Sequence, residues 1–170
     1  MRYFYDTEFI EDGATITLIS IGIVAEDGRE YYAVSTDFDP GQAGPWVTTH
    51  VLPKLPNPGS HEWKSQRQIC REVHDFVHAD GHVPQLWAWA GDYDHVVLAQ
   101  LFGAMTDYPS DMPRFTYELR QYWEMAGRPS LPPIPTGNHD ALVDARHNRA
   151  KFAVCMRVLP LTAANRVSDL

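Results

Sequence analysis

The stretch RYFYDTEF, residues 2–9, opens the chain and decides how the rest of it is interpreted. Its alternating, aromatic-rich residues are typical of a β-strand. Two carboxylates, Asp6 and Glu8, lie within it, and residues two apart in a strand share one face, with Cα atoms about 6 to 7 Å apart. Neighbouring carboxylates among apolar side chains repel each other and are costly to desolvate unless a cation lies between them. The pair therefore predicts a metal site or, as the alternative, a strand that frays at Asp6.

Two further strands are predicted directly after this one. The run TITLISIGIVA, residues 15–25, is rich in β-branched residues, and EYYAVS, residues 30–35, has a similar character. Asp27 and Gly28 between them form a tight-turn dipeptide. We therefore expect the second and third strands to pair as an antiparallel hairpin.

The rest of the chain alternates helical and strand patterns. The predicted elements are a helix over 65–79, a strand over 85–90, a helix over 93–102, a helix capped by Thr116 that runs to Ala126, and a last helix from 139–140 to 158. The proline-rich segments 39–60 and 128–137 predict irregular loops, the first with a short helix near 46–52. This order predicts an α/β fold in which a central mixed sheet, opened by an antiparallel hairpin, carries helices on both faces. We expect one domain over residues 1–170, with 161–170 as a frayed tail.

Composition excludes several classes of protein. A chain of 170 residues with 44% hydrophobic and 21% charged residues is typical of one globular domain. It has no apolar run of the ~18 to 20 residues that cross a membrane, and its first residues lack a signal-peptide pattern. With only Cys70 and Cys155, and no CxxC pair, we expect neither a disulfide framework nor a thiolate zinc site. These features predict a cytoplasmic protein with no membrane partner.

The net charge of −8 argues against a protein that coats nucleic acid through a broad basic face. An enzyme that grips two or three nucleotides needs only a local patch, however. Carboxylates that chelate divalent cations also add to the negative count while being neutralised in use. The charge therefore constrains a nucleic-acid substrate without excluding one.

Asp94 is the second candidate ligand. It follows Tyr93 at the start of a predicted helix, just after a strand, where strand ends deliver side chains to one edge of a sheet. Asp92 is the rival candidate for the same role. The alternative is an ordinary helix N-cap formed by Asp92 or by Asp94 itself.

The segment HDALVDA, residues 139–145, supplies the third element. His139 lies where the last helix begins and Asp144 lies more than one helical turn further on, so the two can face a common site. Asp140 is the better candidate for the helix cap. The alternative for His139 is a histidine on a surface loop.

In this order, Asp-x-Glu, aromatic-Asp and His-x(4)-Asp resemble the DEDD-type 3′-to-5′ exonucleases of the subclass that uses a histidine. Within that family the chain is most similar to ribonuclease T and oligoribonuclease, and closest to small actinobacterial 3′-to-5′ exoribonucleases. The resemblance covers essentially the full chain and implies a ribonuclease H-like fold. One departure is that the aromatic-Asp follows Ala90-Gly91-Asp92, where family members often place an Asn.

The resemblance also implies a set of roles. Asp6, Glu8, Asp94 and Asp144 would hold two Mg²⁺ ions, for which Mn²⁺ can substitute, and His139 would be the general base. Oxygen donors suit these hard cations, and a histidine is suited to proton transfer near neutral pH. The expected products are nucleoside 5′-monophosphates, and no nucleotide cofactor is expected.

Substrate contacts are predicted from a few aromatic and basic residues. By resemblance, Phe9 and Ile10 lie where the family contacts the terminal nucleotide, and Tyr93 and Trp46 are possible stacking groups. The alternative for the aromatic residues is a place in the core. A phosphate-contacting rim could come from Lys64, Arg67 and Arg71 on one helix and Arg146, Arg149 and Lys151 on another, although solvated helix faces are the favoured explanation for most of these residues. His74 and His78 are spaced for zinc, but no third ligand follows from the pattern, which favours an exposed helix face.

The leading functional hypothesis is therefore a two-metal 3′-to-5′ exoribonuclease that acts on single-stranded RNA or 3′ overhangs. A DNA exonuclease of the proofreading kind would use the same five residues, since contacts to the 2′-OH decide between RNA and DNA. A catalytically silent nuclease-like module that binds nucleic acid is the alternative from another class. The family resemblance further implies a possible homodimer, with the RNA 3′ end as the other partner.

Overall fold

The computed structural model describes residues 1–161, so nearly all of the predicted tail lies outside the described residues. The strands are β1 (Arg2–Glu11), β2 (Ile16–Ala25), β3 (Glu30–Ser35), β4 (Trp63–Lys64), β5 (Gln85–Ala88) and β6 (Tyr117–Glu118). The helices are α1 (Pro45–His50), α2 (Gln66–His78), α3 (Asp92–Gln100), α4 (Leu119–Met125) and α5 (Ala141–Val158). Short 3₁₀ turns at Pro40–Gln42 and Leu52–Lys54 flank α1 within the first proline-rich segment. No helix within this part of the chain is both long and apolar enough to cross a membrane.

The strands form one mixed sheet in the order β4-β3-β2-β1-β5-β6. β1 pairs antiparallel with β2, which pairs antiparallel with β3, while β5 lies parallel to β1 on its other side. The two-residue strands β4 and β6 extend the sheet in parallel at its two ends. The predicted hairpin and mixed sheet are thus confirmed.

Helices cover both faces of the sheet. Neighbouring residues of β1 point to opposite sides and pack against different helices. Tyr3 and Tyr5 pack into one apolar cluster with residues of α2 and α3. Phe4 points the other way, into a cluster with residues of α4 and α5, where its ring lies 5.0 Å from that of Phe152. This arrangement places the Asp6 and Glu8 side of β1 beneath α5.

The predicted cap of α4 is wrong. Glu118, not Thr116, is the N-cap, and its side chain accepts a hydrogen bond from the Arg120 N–H. Thr116 lies one residue before β6, which pairs with β5, so the chain is still extended where a helix was expected to begin. The Thr116 hydroxyl instead lies 2.6 Å from that of Tyr5.

α5 approaches the sheet at Gly22, the β2 residue paired with Asp6. A Cβ atom at Gly22 would lie 2.4 Å from the backbone of Ala141 and Leu142 in the first turn of α5. Only glycine allows this distance, and the contact fixes the height of the helix above Asp6 and Glu8.

We expect Gly22→Ala to destabilise the protein by about 2 to 4 kcal/mol, since a methyl group forced against backbone must displace the helix. That cost corresponds to a fall of about 5 to 15 °C in the melting temperature. Thermal unfolding followed by circular dichroism measures it. Gly44→Ala is the matched control because Gly44 has φ −63° and nothing within 4 Å of a Cβ atom. Equal melting temperatures for the two variants would contradict the close-packing argument.

Candidate active site

Asp6 and Glu8 lie side by side on the face of β1 that α5 covers. β1 continues as a strand to Glu11, so the chain does not fray at Asp6. Glu8 is only 8% exposed although it is a carboxylate. The two acidic residues therefore lie on the same side of the sheet, and Glu8 is withdrawn from solvent.

The start of α5 brings two more predicted residues to this layer. Asp140 caps the helix by accepting hydrogen bonds of 3.0 Å from the Leu142 and Val143 N–H groups, as predicted. Asp144 Oδ2 accepts a 2.6 Å hydrogen bond from the backbone N–H of His139. One ligand atom from each of Glu8, His139 and Asp144 lies within 4.8 Å of the other two. β1 and α5 thus create a cluster with the donors and the spacing of a metal site.

Asp94 reaches β1 from the opposite face of the sheet. β5 ends at Ala88, so the Thr7 N–H has no strand beside it on that side in the described chain. Asp94 Oδ1 accepts from this N–H at 2.8 Å and from the Thr7 hydroxyl at 2.7 Å. The N-cap of α3 is Gly91, so neither Asp94 nor Asp92 caps the helix. Asp92 is exposed, which leaves Asp94 as the buried carboxylate beside Asp6 and Glu8.

Burial and mutual repulsion perturb these acids strongly. Desolvation, followed by the charges of Asp94, Glu8 and Asp144, raises the pKa of Asp6 well above its usual range. Desolvation and the same kind of repulsion raise the pKa of Glu8 to about 8. Burial raises the pKa of Asp94 to about 6, although its hydrogen bonds from Thr7 oppose the shift. Full ionisation of these carboxylates would therefore concentrate negative charge that the surrounding protein groups do not balance.

The surroundings of His139 come from the first proline-rich segment, whose role the sequence did not reveal. The Trp46 ring meets the His139 ring edge-on at 4.7 Å, and the His50 ring lies 6.2 Å away. Lys54 Nζ donates a hydrogen bond to the Asn138 carbonyl, which anchors the residue before His139. Burial and the nearby Lys54 lower the pKa of His139, which favours a neutral imidazole at neutral pH. His139 itself has φ +66°, a strained left-handed conformation that is more often found at functional positions.

A cavity of about 460 Å³ opens beside Glu8. Phe9 and Trp46 contribute to its walls, and Tyr93 stacks on Phe9 with ring centroids 5.8 Å apart. Trp46 and Tyr93 are 53% and 60% exposed, so their rings are accessible. Ile10 is buried in a cluster with Val34 and Val51, so its side chain does not reach this cavity.

The predicted basic residues do not form one rim. α2 and α5 lie on opposite faces of the sheet, which separates their basic residues. Lys64, just before α2, is paired with Glu72 at 2.5 Å, and Arg146 of α5 donates two hydrogen bonds to Glu30. Lys151 differs from the others. It lies over the Trp89 ring at 4.4 Å, and its positive charge acts to lower the pKa of Asp6.

Sequence reasoning missed the contribution of Glu118. Its carboxylate accepts hydrogen bonds from the Ala90 and Gly91 N–H groups at 2.9 and 3.0 Å, and it braces the turn that leads into α3. Ala90 has φ +54° within that turn. The turn that lacks the expected Asn is therefore held by a carboxylate from β6, which no local sequence signal reveals.

Solved structures identify the class of fold. The nuclease domain of 3′hExo, a DEDDh family member bound to rAMP, matches with a TM-score of 0.59 and 14% identity, over 92% of this chain and 90% of that one. Pop2p of S. pombe, in its Mg²⁺- and Mn²⁺-bound form, matches with a TM-score of 0.56 and 12% identity, over 95% and 85% of the two chains. The chain therefore has the ribonuclease H-like fold of the DEDDh nuclease domains.

The sequence comparisons are more specific. The model of the Rv2179c-like 3′-5′ exoribonuclease domain matches residues 1–156. Two curated relatives, the 3′-5′ exoribonucleases Rv2179c and MT2234.1 from two strains of Mycobacterium tuberculosis, are 63% identical over 153 residues, which is 89% of this chain and 91% of each relative. The chain belongs to the Rv2179c-like 3′-5′ exoribonuclease domain family, which confirms the family resemblance found in the sequence.

Proposed function

We propose that this chain is a two-metal 3′-5′ exoribonuclease that releases nucleoside 5′-monophosphates from single-stranded RNA or 3′ overhangs. The exoribonuclease activity rests on its family and on relatives of that name at 63% identity. The observation that carries the mechanism is the convergence of Glu8, His139 and Asp144, with Asp6 and Asp94 adjoining them.

The acidic residues fit divalent cations. Asp6, Glu8 and Asp94 are oxygen donors whose pKa values are raised because their charges are buried without sufficient compensation. Carboxylate oxygens are the donors that Mg²⁺ and Mn²⁺ prefer. Together with Asp144 they would hold two such ions, whose chemistry when bound is to make water more acidic and to stabilise the leaving 3′ oxygen.

His139 would act as the general base. Its lowered pKa keeps a ring nitrogen free to accept a proton from water at neutral pH. The hydrogen bond from its backbone to Asp144 and the contact with Trp46 hold it beside the carboxylates. Proton acceptance by His139 and metal binding by Glu8 and Asp144 would then occur within one cluster.

The cavity beside Glu8 is the proposed place for the terminal nucleotide. Phe9 and Trp46 offer apolar faces there, and Tyr93 extends the surface through its stacking on Phe9. Aromatic faces accept any base, which suits an exonuclease that must process mixed sequences. A homodimer and a cytoplasmic location remain predictions from the sequence.

Digestion of 5′-labelled single-stranded RNA, matched DNA and duplex RNA with a 3′ overhang tests the proposal. With Mg²⁺ or Mn²⁺ we expect a ladder that shortens from the 3′ end of RNA, releases 5′-monophosphates and disappears with EDTA. Asp94→Asn should lose this activity, whereas the exposed neighbour Asp92→Asn should retain it. A faster ladder on DNA would favour the proofreading type of exonuclease, and metal-independent RNA binding without cleavage would favour the silent module.

A further inference from the structure

A second cluster of metal-binding side chains lies on the other face of the sheet from α5. His74 and His78 project from α2, and the structure brings Asp111 to them from the loop between α3 and β6. One ligand atom from each lies within 4.8 Å of the other two. The sequence pattern offered only the two histidines, because the third residue is 33 positions away from the nearer one.

The hydrogen bonds of His78 turn its second ring nitrogen towards Asp111. Its Nδ1 lies 2.8 Å from the His74 carbonyl oxygen, so Nδ1 must carry the proton of that hydrogen bond. Its Nε2 faces two oxygens of Asp111, the carbonyl at 3.2 Å and carboxylate Oδ2 at 3.8 Å. In a neutral imidazole that Nε2 would be a lone pair pointed at two acceptors, and either a proton on Nε2 or a metal ion bound between these atoms relieves the repulsion.

His74 completes the arrangement. Its Nε2 lies 3.0 Å from Asp111 Oδ2, and its ring stacks on that of His78 with centroids 4.4 Å apart. The two rings are therefore placed to bind one metal ion together with Asp111. Ligand atoms around a tetrahedral Zn²⁺ lie about 3.3 Å apart, and the distance from Nε2 to Asp111 Oδ2 is 3.0 Å for His74 and 3.8 Å for His78.

The site is preformed and accessible. Tyr108 and Met112, on either side of Asp111, are 8% and 2% exposed and pack against the same apolar cluster as α2, so the loop is held in place by its own core contacts. The side chains of His74, His78 and Asp111 are 32%, 24% and 55% exposed. An ion can therefore enter without unfolding, with water as the fourth ligand.

We propose that His74, His78 and Asp111 form a Zn²⁺ site that fastens the loop between α3 and β6 to α2. Two imidazoles and one carboxylate suit zinc far better than Mg²⁺, which prefers oxygen donors alone. The Nδ1 hydrogen bond of His78 to the helix backbone is the type of outer contact that orients metal-binding histidines. The site is separate from the proposed exonuclease centre, so the two proposals stand independently.

The test is a Zn²⁺ titration of the full chain, stripped of metal and kept in excess Mg²⁺, against a chromophoric chelator. The chain carries Glu8→Gln and Asp144→Asn to remove the other cluster of possible ligands. We expect one Zn²⁺ per chain, and His78→Gln or Asp111→Asn should weaken its binding by about 100-fold or more. His61→Gln, at a histidine whose side chain is 90% exposed, is the control and should change the affinity less than about twofold.

Substitution by Co²⁺ gives an independent readout, because tetrahedral coordination of the ion produces a visible absorption band much stronger than that of hydrated Co²⁺. The band should appear in the Glu8→Gln, Asp144→Asn chain and disappear when His74→Gln is added. Circular dichroism confirms that each variant is folded. Absence of Zn²⁺ binding in the starting chain, or binding that these substitutions do not weaken, would overturn the proposal.

Discussion

Replacing Asp144 with asparagine is expected to reduce the rate of RNA digestion by about 10³-fold or more while the fold stays intact. The variant keeps the shape of the side chain, and its amide oxygen can still accept the His139 N–H, but it removes one negative charge from the cluster around Glu8. Loss of charge stabilisation worth several kcal/mol accounts for a rate change of this size. Single-turnover rates on 5′-labelled RNA measure it.

Asp140→Asn is the matched control for this prediction. Asp140 lies one turn before Asp144 on the same helix, and asparagine caps helices as well as aspartate does. This variant should therefore keep most of its activity. Comparable losses in the two variants would mean that helix stability, and not the Asp144 carboxylate, controls the rate.

Glu8→Gln is expected to stabilise the metal-free protein at pH 8 while it abolishes activity. The pKa of Glu8 in the folded protein is about 8, above that of an unfolded chain. Because the folded protein holds the Glu8 proton more tightly than the unfolded chain does, Glu8 contributes to the free energy of unfolding. This contribution is complete below about pH 4.5 and is lost as the pH rises through 8. Glutamine avoids this loss. We therefore expect the free energy of unfolding of the variant to exceed that of the unsubstituted protein by about 2 to 4 kcal/mol at pH 8, and the difference to vanish near pH 4.5.

Thermal unfolding in EDTA between pH 5 and 8 measures this difference, and repeating it with Mg²⁺ supplies the contrast. The unsubstituted protein should gain stability from Mg²⁺ at pH 8, whereas Glu8→Gln should gain much less. Glu11→Gln is the control because Glu11 is an exposed carboxylate at the end of the same strand. If Glu8→Gln were less stable than the unsubstituted protein at pH 8 in EDTA, the repulsion inferred for this cluster would be refuted.

Much of the fold was predictable because it depends on patterns within single segments. The β-branched run of β2 and the Asp27-Gly28 turn identify the hairpin from local residues alone. Strands of two residues, such as β6, have no periodicity to detect and form only because a neighbouring strand offers hydrogen bonds. That tertiary pairing is also the reason why Thr116 does not cap α4.

The candidate site could likewise be predicted only in part from the sequence. The motifs identified Asp6, Glu8, Asp94, His139 and Asp144, because the order of these residue types in the chain is itself a signal. Lys54 bonds to the backbone 84 positions further along the chain, and Glu118 bonds to the backbone 28 positions before it. No local sequence pattern predicts contacts over such separations. The choice between Asp92 and Asp94 likewise needed the structure, since only Asp94 reaches Thr7.

The contact between Asp94 and Thr7 also matters for the edge of the sheet. The part of β1 beyond the end of β5 would otherwise offer unpaired backbone groups to a strand of another molecule, which is a common route to aggregation. The buried Asp94 carboxylate accepts a hydrogen bond from the Thr7 N–H and so satisfies one of those donors. The residue proposed to hold a metal therefore also satisfies a backbone donor that the sheet leaves unpaired, so Asp94 has a structural role in addition to its proposed catalytic one.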